Sequence, residues 1–353
     1  MTGYISLNVL LFHDLIQSAY IYRLIKRERE DNFVPIYKIN YKHSIMLQTI
    51  LGSGGAIGKP LARELKNYNC DIRLIGRNPL KVNETDQLYP LEAFNLTGID
   101  KAISGSSVVY VTIGFEYKLK VWQQIWELFI SEVIKSCKKY EAKLVFFDNM
   151  YLYDKKAVPF MKEDSSINPP SKKGEVRERV HELIMIETEK KSLTALIARS
   201  ADFYGPENNN SGLKIMAVDN FIKGKKAQVF GNPSCIHTYT YTPDAAKAAA
   251  ILGNTPDAYN QVWHVPTTKE KLTNLGWIKL IAKELNCEPK IQKFPKWMVR
   301  MLGVFVPRLR EFPEMIYQYE QDYIFDSTKF EKRFGITATS PEEGVRKMLL
   351  ELR

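Results

Sequence analysis

Residues Leu47–Gly58, LQTILGSGGAIG, constrain the fold more than any other stretch of the chain. Leu47, Ile50 and Leu51 read as a buried strand, and Ile57, Leu61 and Leu65 recur afterwards at helical spacing. Between them lies a turn with glycines at Gly52, Gly55 and Gly58, and Gly54 as an extra. Residues without a Cβ suit such a turn for two reasons. The backbone must bend sharply, and a diphosphate must come close to bare amides. The helix that begins near Ile57 then points its positive end at the phosphate. Any tight strand-to-helix turn can use glycine. The order of strand, turn and helix is what selects the dinucleotide reading, with Gly52, Gly54, Gly55, Ala56, Ile57 and Gly58 as the binding residues.

The downstream pattern supplies the rest of such a fold. Asp71–Ile75 (DIRLI) reads as a second strand ending in Gly76-Arg77-Asn78. At this strand end an acidic residue accepts hydrogen bonds from a ribose diol, whereas an arginine pairs with a 2′-phosphate. There is no carboxylate, and Arg77 follows directly, so NADP is expected in preference to NAD. A solvated surface arginine is the alternative. Leu91–Leu96 reads as a short third strand that brings Asn95 and Leu96 near an adenine. Ser107–Ile113 is a fourth strand, apolar enough for burial on both faces. It stops at Gly114, so Thr112, Ile113 and Gly114 mark the carboxyl edge where parallel sheets bind ligands.

Leu119–Tyr140 is a long helix whose stripe of Trp122, Ile125, Trp126, Phe129 and Val133 suits core or a subunit interface. Lys143–Phe147 is a fifth strand and runs into Asp148-Asn149-Met150-Tyr151-Leu152-Tyr153. This alternation predicts an α/β chain with a Rossmann-type doubly wound parallel sheet. Further strands are expected at Thr194–Ala198 and Gln228–Phe230. Further helices are expected from about Gly174 and at Asp244–Leu252, Leu275–Glu284, Pro295–Leu302 and Pro341–Leu350.

Residues 1–45 do not fit this pattern. Ile5–Ile16 is mostly apolar and Ile21–Asn32 is dense in charge, without the basic start and small-residue cleavage site of a signal peptide. Native folding is expected to begin at Met46, with the first 45 residues an appendage or start-site artefact. A helical arm for a partner is the alternative. The expected division is a dinucleotide-binding domain over 46–205 and a smaller substrate lobe over 206–353, from which 236–252 returns to the first.

The formal net charge of +10 is spread among acidic residues, with only short knots such as Lys172-Lys173 and Lys223–Lys226. It does not outline a nucleic-acid face, and it suits a phosphorylated small molecule equally well. Cys70, Cys137, Cys235 and Cys287 form no CxxC pair, which points to a reducing, cytoplasmic setting. His13, His43, His181, His237 and His264 show no metal-ligand spacing. No apolar run is long enough to span a membrane.

Taken in order, GSGGAIG, VVYVTIG, FFDNMYLYD, ARSADFYGP and HTYTYTPDAAKA resemble the extended short-chain dehydrogenase/reductase superfamily, in its epimerase and dehydratase branch. The resemblance runs from about Met46 to the C-terminus. It implies a Ser or Thr after strand five, and a Tyr and a Lys four residues apart on the next helix. There the Lys lowers the Tyr pKa and the tyrosinate moves a proton while the nicotinamide exchanges hydride. This chain departs at all three positions. Anchored on Leu152-Tyr153, they fall on Asn149, Lys173 and Arg177. A formal YxxxK from Tyr151 to Lys155 stands too early to be the pair.

Arginine cannot lose its proton at neutral pH but can hold a ribose and supply charge. Lysine can transfer a proton where its pocket depresses the pKa. Asn149, Lys173 and Arg177 are therefore the catalytic candidates, with Tyr151 and Tyr153 as further ones. Asp148, at the open sheet edge, is a base or a substrate ligand, or else it caps a turn. The resemblance also implies Tyr204 beside the nicotinamide, Tyr241 beside the substrate, and His237 in the substrate-facing segment. It suggests a homodimer through the Trp122 helix and the helix after Pro170.

Two functions follow. One is an NAD(P)-dependent oxidoreductase, epimerase or dehydratase acting on a small hydroxyl or carbonyl compound such as a nucleotide sugar. The other is a regulatory protein that senses NADP(H) and has lost the proton-transfer groups. The retained HTYTYTPDAA wall favours the first.

Overall fold

A computed structural model describes residues 46–92, 95–305 and 311–351. The N-terminal segment of 45 residues, with His13 and His43, lies outside the described residues. In chain order the first half comprises β1 Met46–Leu51, α1 Gly58–Leu65, β2 Cys70–Gly76, β3 Gln87–Pro90, α2 Leu96–Ile103, β4 Ser106–Val111, α3 Leu119–Lys139, β5 Lys143–Asn149 and α4 Lys172–Glu189. Then come β6 Ala195–Ser200, β7 Asp202–Tyr204, α5 Asp219–Ile222, β8 Ala227–Phe230, β9 Tyr239–Tyr241, α6 Thr242–Gly253, β10 Val262–His264, α7 Asn274–Glu284, β11 Ile291–Phe294, α8 Lys296–Phe305, α9 Thr328–Phe334 and α10 Pro341–Leu350.

Seven strands form one sheet in the order β10-β6-β5-β4-β1-β2-β3. Every pairing in it is parallel. This is the doubly wound arrangement, with the strand order reversing between β1 and β4. β7 pairs with β9, and β8 with β11, in two small parallel ribbons.

The central strands are apolar on both faces because helices cover both. Ile50, Tyr110, Val145, Phe147 and Leu196 face a cluster that includes Leu61 and Leu65 of α1 and the alanines of α6. Leu51, Val109, Leu144, Phe146 and Ile197 face Ile99 of α2, Trp126 and Phe129 of α3, and Val176 and Val180 of α4. The Trp122–Val133 stripe is therefore core. A third cluster joins Tyr204, Phe221, Val229, Trp277, Ile281, Val345 and Leu349 in the C-terminal part.

One expected element differs. The third strand lies at Gln87–Pro90, and Leu96 opens a helix. Asn95 is that helix's N-cap, its side chain accepting the Gly98 N–H at 3.1 Å. The side-chain oxygen of an asparagine at such a boundary outweighs the apolar content of the short stretch read as a strand. Residues 93 and 94 of that stretch lie outside the described set.

Among the described residues the four cysteines are unpaired and no helix is long and apolar enough to cross a membrane. No group of three or more His, Cys, Asp or Glu among them is placed to hold a metal ion.

At the start of α1, a Cβ on Gly58 would stand 2.3 Å from the Gly52 carbonyl oxygen. Gly58→Ala should therefore force the helix off the turn and cost about 1–3 kcal/mol. Urea unfolding checks this, and an unchanged midpoint would show that the approach is not needed.

Candidate functional site

At the end of β1 the backbone turns through Gly52 with φ +97°. A Cβ there would lie 2.6 Å from the backbone of Ile113, two residues past the end of β4. Only glycine combines that dihedral with that approach. Thr112 fixes the crossing, its Oγ1 donating to the carbonyls of Leu51 and Gly52 at 3.2 and 3.3 Å. The Gly52 and Ser53 N–H groups donate to Ile75 O, and the Gly55 N–H to Gly52 O. The N–H groups of Gly54, Ala56 and Ile57 have no acceptor among the described residues.

Ile57 caps α1 without a side-chain hydrogen bond, and the first turn carries no acidic residue. Gly54, Gly55 and Gly114 are exposed at the same edge. Free amides at an uncapped helix start fit an anion such as a pyrophosphate. Arg77 is exposed immediately beyond β2, with no ion pair among the described residues. Farther along, an open cleft of ≈ 410 Å³ is lined by Tyr89, Leu91, Asn95, Thr97, Gly98 and Lys101. Asn95 borders it, and Leu96 packs against the core beneath.

Beside this edge lies a buried charge cluster. Asp148 is 3% exposed, at the end of β5 on the face covered by α4. Arg177 Nε donates to its Oδ1 at 2.7 Å, and Arg177 Nη2 reaches the same oxygen. Arg199 Nε and Nη2 donate to Oδ2 at 3.3 and 3.2 Å. Burial pushes the Asp148 carboxyl up, but the two guanidinium groups and the Asn149 N–H outweigh it and hold the group below the usual carboxylate range. Arg177 also lies over the rings of Trp126 and Phe146, at 4.3 and 4.9 Å.

Arg199 donates onward to the Tyr153 hydroxyl at 2.8 Å, which also meets His264 Nε2 at 2.7 Å. Arg199 Nη2 lies 3.3 Å from His181 Nδ1. Burial and then the Arg199 charge lower His181 to about 4 and push His264 well down, so both rings are neutral at pH 7. Arg177, Asp148 and Tyr153 are thus committed to one another's network inside the sheet's helical cover.

Lys173 is fully buried in the first turn of α4. Its Nζ donates to Glu311 Oε2 at 2.5 Å and Glu314 Oε1 at 2.9 Å, and lies 4.7 Å above the Tyr117 ring. The two glutamates also cap helices from a distance. Glu311 accepts the Leu119 N–H that opens α3, and Glu314 the Lys172 N–H that opens α4, both at 3.0 Å.

Asn149 Oδ1 accepts the Tyr151 N–H at 3.0 Å and shapes the turn leaving β5. Tyr151 stacks on Trp122, and its hydroxyl is 3.5 Å from that of Tyr117. Burial, the neighbouring Tyr117 and Asp202 push the Tyr151 phenol well up, so it serves as a hydrogen-bond donor at neutral pH. Tyr151 and Lys155 stand on a turn-rich loop, not a helix.

The remaining candidates sit deeper. His237 is fully buried with Nε2 3.0 Å from Asp202 Oδ2. Tyr204 is enclosed by Tyr241 and Trp277, at ring distances of 5.4 and 5.1 Å, and its hydroxyl has no partner among the described residues. Tyr241 is 4% exposed at the start of α6. The glycine turn, Asn149 and Tyr151 thus share the open edge, whereas Tyr204 and Tyr241 belong to a separate aromatic cluster.

Sequence reasoning missed Tyr117, Asp202, Glu311 and Glu314. Asp202 stood inside the ARSADFYGP motif and Tyr117 just past Gly114, so both had a positional signal. REFPEM, which carries the two glutamates, has neither periodicity nor a motif.

Residues 49–265, more than half of the chain, match the model of the NAD dependent epimerase/dehydratase family. No curated protein matches. Among solved structures, UDP-glucuronic acid 4-epimerase from Bacillus cereus, in complex with UDP-glucuronic acid and NAD, is similar at 17% identity. That match covers 87% of this chain and all of that one, with a TM-score of 0.72. MoeE5 in complex with UDP-glucose and NAD is 15% identical over 87% of this chain and 98% of that one, also at 0.72. dTDP-glucose 4,6-dehydratase from Bacillus anthracis, in complex with NAD, is 15% identical over 86% and 96%, at 0.71. At these identities the likeness is one of fold.

Two acid-sensitive steps should appear in stability. His181 binds its proton less readily folded than unfolded, so stability falls between about pH 6.5 and 4. The contribution of Asp148 is complete above about pH 4 and is lost as pH falls through its lower folded value. Urea midpoints measured across this range should drop twice, and His181→Gln should make the upper drop shallower, the remainder being carried by His264, whose ring is also held neutral. Asp148→Asn should cost about 3–5 kcal/mol at pH 7, because two buried guanidinium groups lose their counter-charge. A loss under about 1 kcal/mol would contradict the pairing.

Proposed function

The chain belongs to the NAD dependent epimerase/dehydratase family, and from that premise we propose that it is an enzyme that binds NADP at the end of β1. Its substrate, in this proposal, is a small hydroxyl or carbonyl compound such as a nucleotide sugar. The observation that carries the proposal is the set of N–H groups at Gly54, Ala56 and Ile57 that have no acceptor among the described residues, beside the exposed Gly54 and Gly55 at the sheet's switch point. The solved neighbours carry NAD, as their descriptions state. Here no carboxylate ends β2 to hold a ribose diol, and exposed Arg77 offers a bidentate partner for a 2′-phosphate.

When bound, the dinucleotide supplies the hydride exchange. In this reading Asn149 and Tyr151 donate to the substrate oxygen and orient it. Arg177 fixes positive charge behind them through Asp148. Lys173 takes the acid/base role that the resemblance gives to tyrosine, and must exchange Glu311 and Glu314 for the substrate to do so. Division into a dinucleotide domain and a C-terminal substrate lobe, and a homodimer, belong to the same proposal.

A second reading is binding without turnover. It is favoured by one observation: both residues at the tyrosine and lysine positions are already held by carboxylates of the chain itself.

Calorimetric titration should give tighter binding of NADP than of NAD. Arg77→Asp should weaken NADP about tenfold or more and spare NAD, since one charge-assisted pair is worth about 1.5–3 kcal/mol. An unchanged NADP affinity would remove Arg77 from the site. With a panel of nucleotide sugars and carbonyls, Lys173→Ala should lower turnover about 100-fold or more while dinucleotide binding persists. Turnover at the wild-type rate would exclude the acid/base role. Tight NADP binding with no turnover on the panel would favour the second reading.

A further inference from the structure

Far from the glycine turn in sequence, the ribbon of β8 and β11 and the helix α8 carry exposed apolar side chains among unpaired cations. Between Glu288 and Glu311 the sequence holds six cations, Lys290, Lys293, Lys296, Arg300, Arg308 and Arg310, and no carboxylate. Only Pro295 separates β11 from α8. Val299 is fully buried in a cluster with Phe230, Ile316 and Tyr319, which fixes one side of α8 to the C-terminal part. Trp297 and Met301 lie two residues to either side of Val299 and therefore on the opposite side of the helix, one turn apart. They are 63% and 52% exposed. The other four tryptophans, Trp122, Trp126, Trp263 and Trp277, are all buried, so Trp297 is the exception in this chain.

The cations run along the ribbon to its other end. β11 lies parallel to β8, in register from Ala227 and Ile291 to Phe230 and Phe294. The Ala227 N–H donates to Lys290 O at 2.9 Å, so the turn that carries Lys223, Lys225 and Lys226 stands beside Lys290. All three lysines are exposed, and exposed Ile222 precedes them. Lys290 pairs with Glu288 at 2.6 Å and Lys296 with Glu320 at 3.7 Å. The acidic residue of α5, Asp219, is taken by Lys214 at 2.8 Å. Lys223, Lys225, Lys226 and Lys293, which is exposed on β11, meet no carboxylate among the described residues.

We infer that this face docks on an anionic lipid bilayer. The ends of the four-residue ribbon stand about 10 Å apart, so one small anion at Lys225 and Lys226 leaves Lys293 unserved. An extended phosphate surface serves both. A nucleic-acid duplex offers the same charge but no apolar layer for Ile222, Trp297 and Met301. A bilayer offers both layers, with lysines at the headgroups, tryptophan at the headgroup boundary and the aliphatic tips below it. Contact of this kind is peripheral and needs no spanning helix. It is independent of the dinucleotide reading.

The test is co-sedimentation of the full chain with vesicles of phosphatidylcholine alone and of phosphatidylcholine mixed with an equal part of phosphatidylglycerol. The mixed vesicles should bind about tenfold more tightly or better, and raising salt from about 0.05 to 0.5 M should remove most of that gain. Trp297 is the one exposed tryptophan among the described residues, so emission should move to the blue on binding and stay put in Trp297→Phe. Trp297→Ser with Met301→Ser, and separately Lys225→Glu with Lys226→Glu, should each weaken binding about tenfold or more. Neither pair should lower the melting temperature, since the side chains changed are exposed. No binding to the mixed vesicles at low salt, binding without the blue shift, or tighter binding of a DNA duplex than of the vesicles would overturn the inference. Binding that survives in both double variants would place the contact elsewhere on the chain and overturn it as well.

Discussion

Everything at the sheet edge depends on how closely two strand ends approach. Gly52 passes so near the backbone of Ile113 that no Cβ fits, and its positive φ sends the chain straight into α1. That path leaves three main-chain N–H groups with no acceptor among the described residues. Unpaired amides are costly only when water is excluded, and here exposed Gly54 and half-buried Ala56 keep two of the three beside solvent. The turn therefore keeps a concentrated positive potential at little cost. An anion that binds there replaces water and gains from the helix end behind it.

The second organising feature is how the chain handles charge close to that edge. Lys173 and Arg177 stand one helical turn apart on α4, yet serve different partners. Arg177 and Arg199 enclose Asp148, and the triad extends through Tyr153 to neutral His264. Such a buried network is strongly destabilised by loss of one member and holds β5, β6 and α4 in fixed relation. Lys173 instead ties α4 to a distant segment of chain through Glu311 and Glu314, which close the first turns of α3 and α4 as well. One pair of carboxylates thus caps two helices and neutralises one buried ammonium.

The fold was legible because its signals are local. Strands apolar on both faces, and glycines at a strand-to-helix turn, need no knowledge of distant contacts. The third strand was misjudged because a six-residue, mostly apolar stretch competes poorly with an asparagine cap that accepts the Gly98 N–H. The candidate site was legible only in part. The glycine turn and Asn149 announced themselves by position. That Asp148 would be consumed by two arginines, one of them 51 residues away, depended on β5 and β6 being neighbours in register. Glu311 and Glu314 reach Lys173 across 138 and 141 residues of chain, a pairing that no spacing rule can see.

The central claim is that bare amides at the first crossover grip a pyrophosphate, and amide NMR reads this most directly. With glycine, alanine and isoleucine selectively labelled with ¹⁵N, NADP should shift the Gly54, Ala56 and Ile57 resonances downfield, saturating together at one affinity. Saturable NADP binding that left those three resonances unmoved and shifted amides elsewhere would contradict the account.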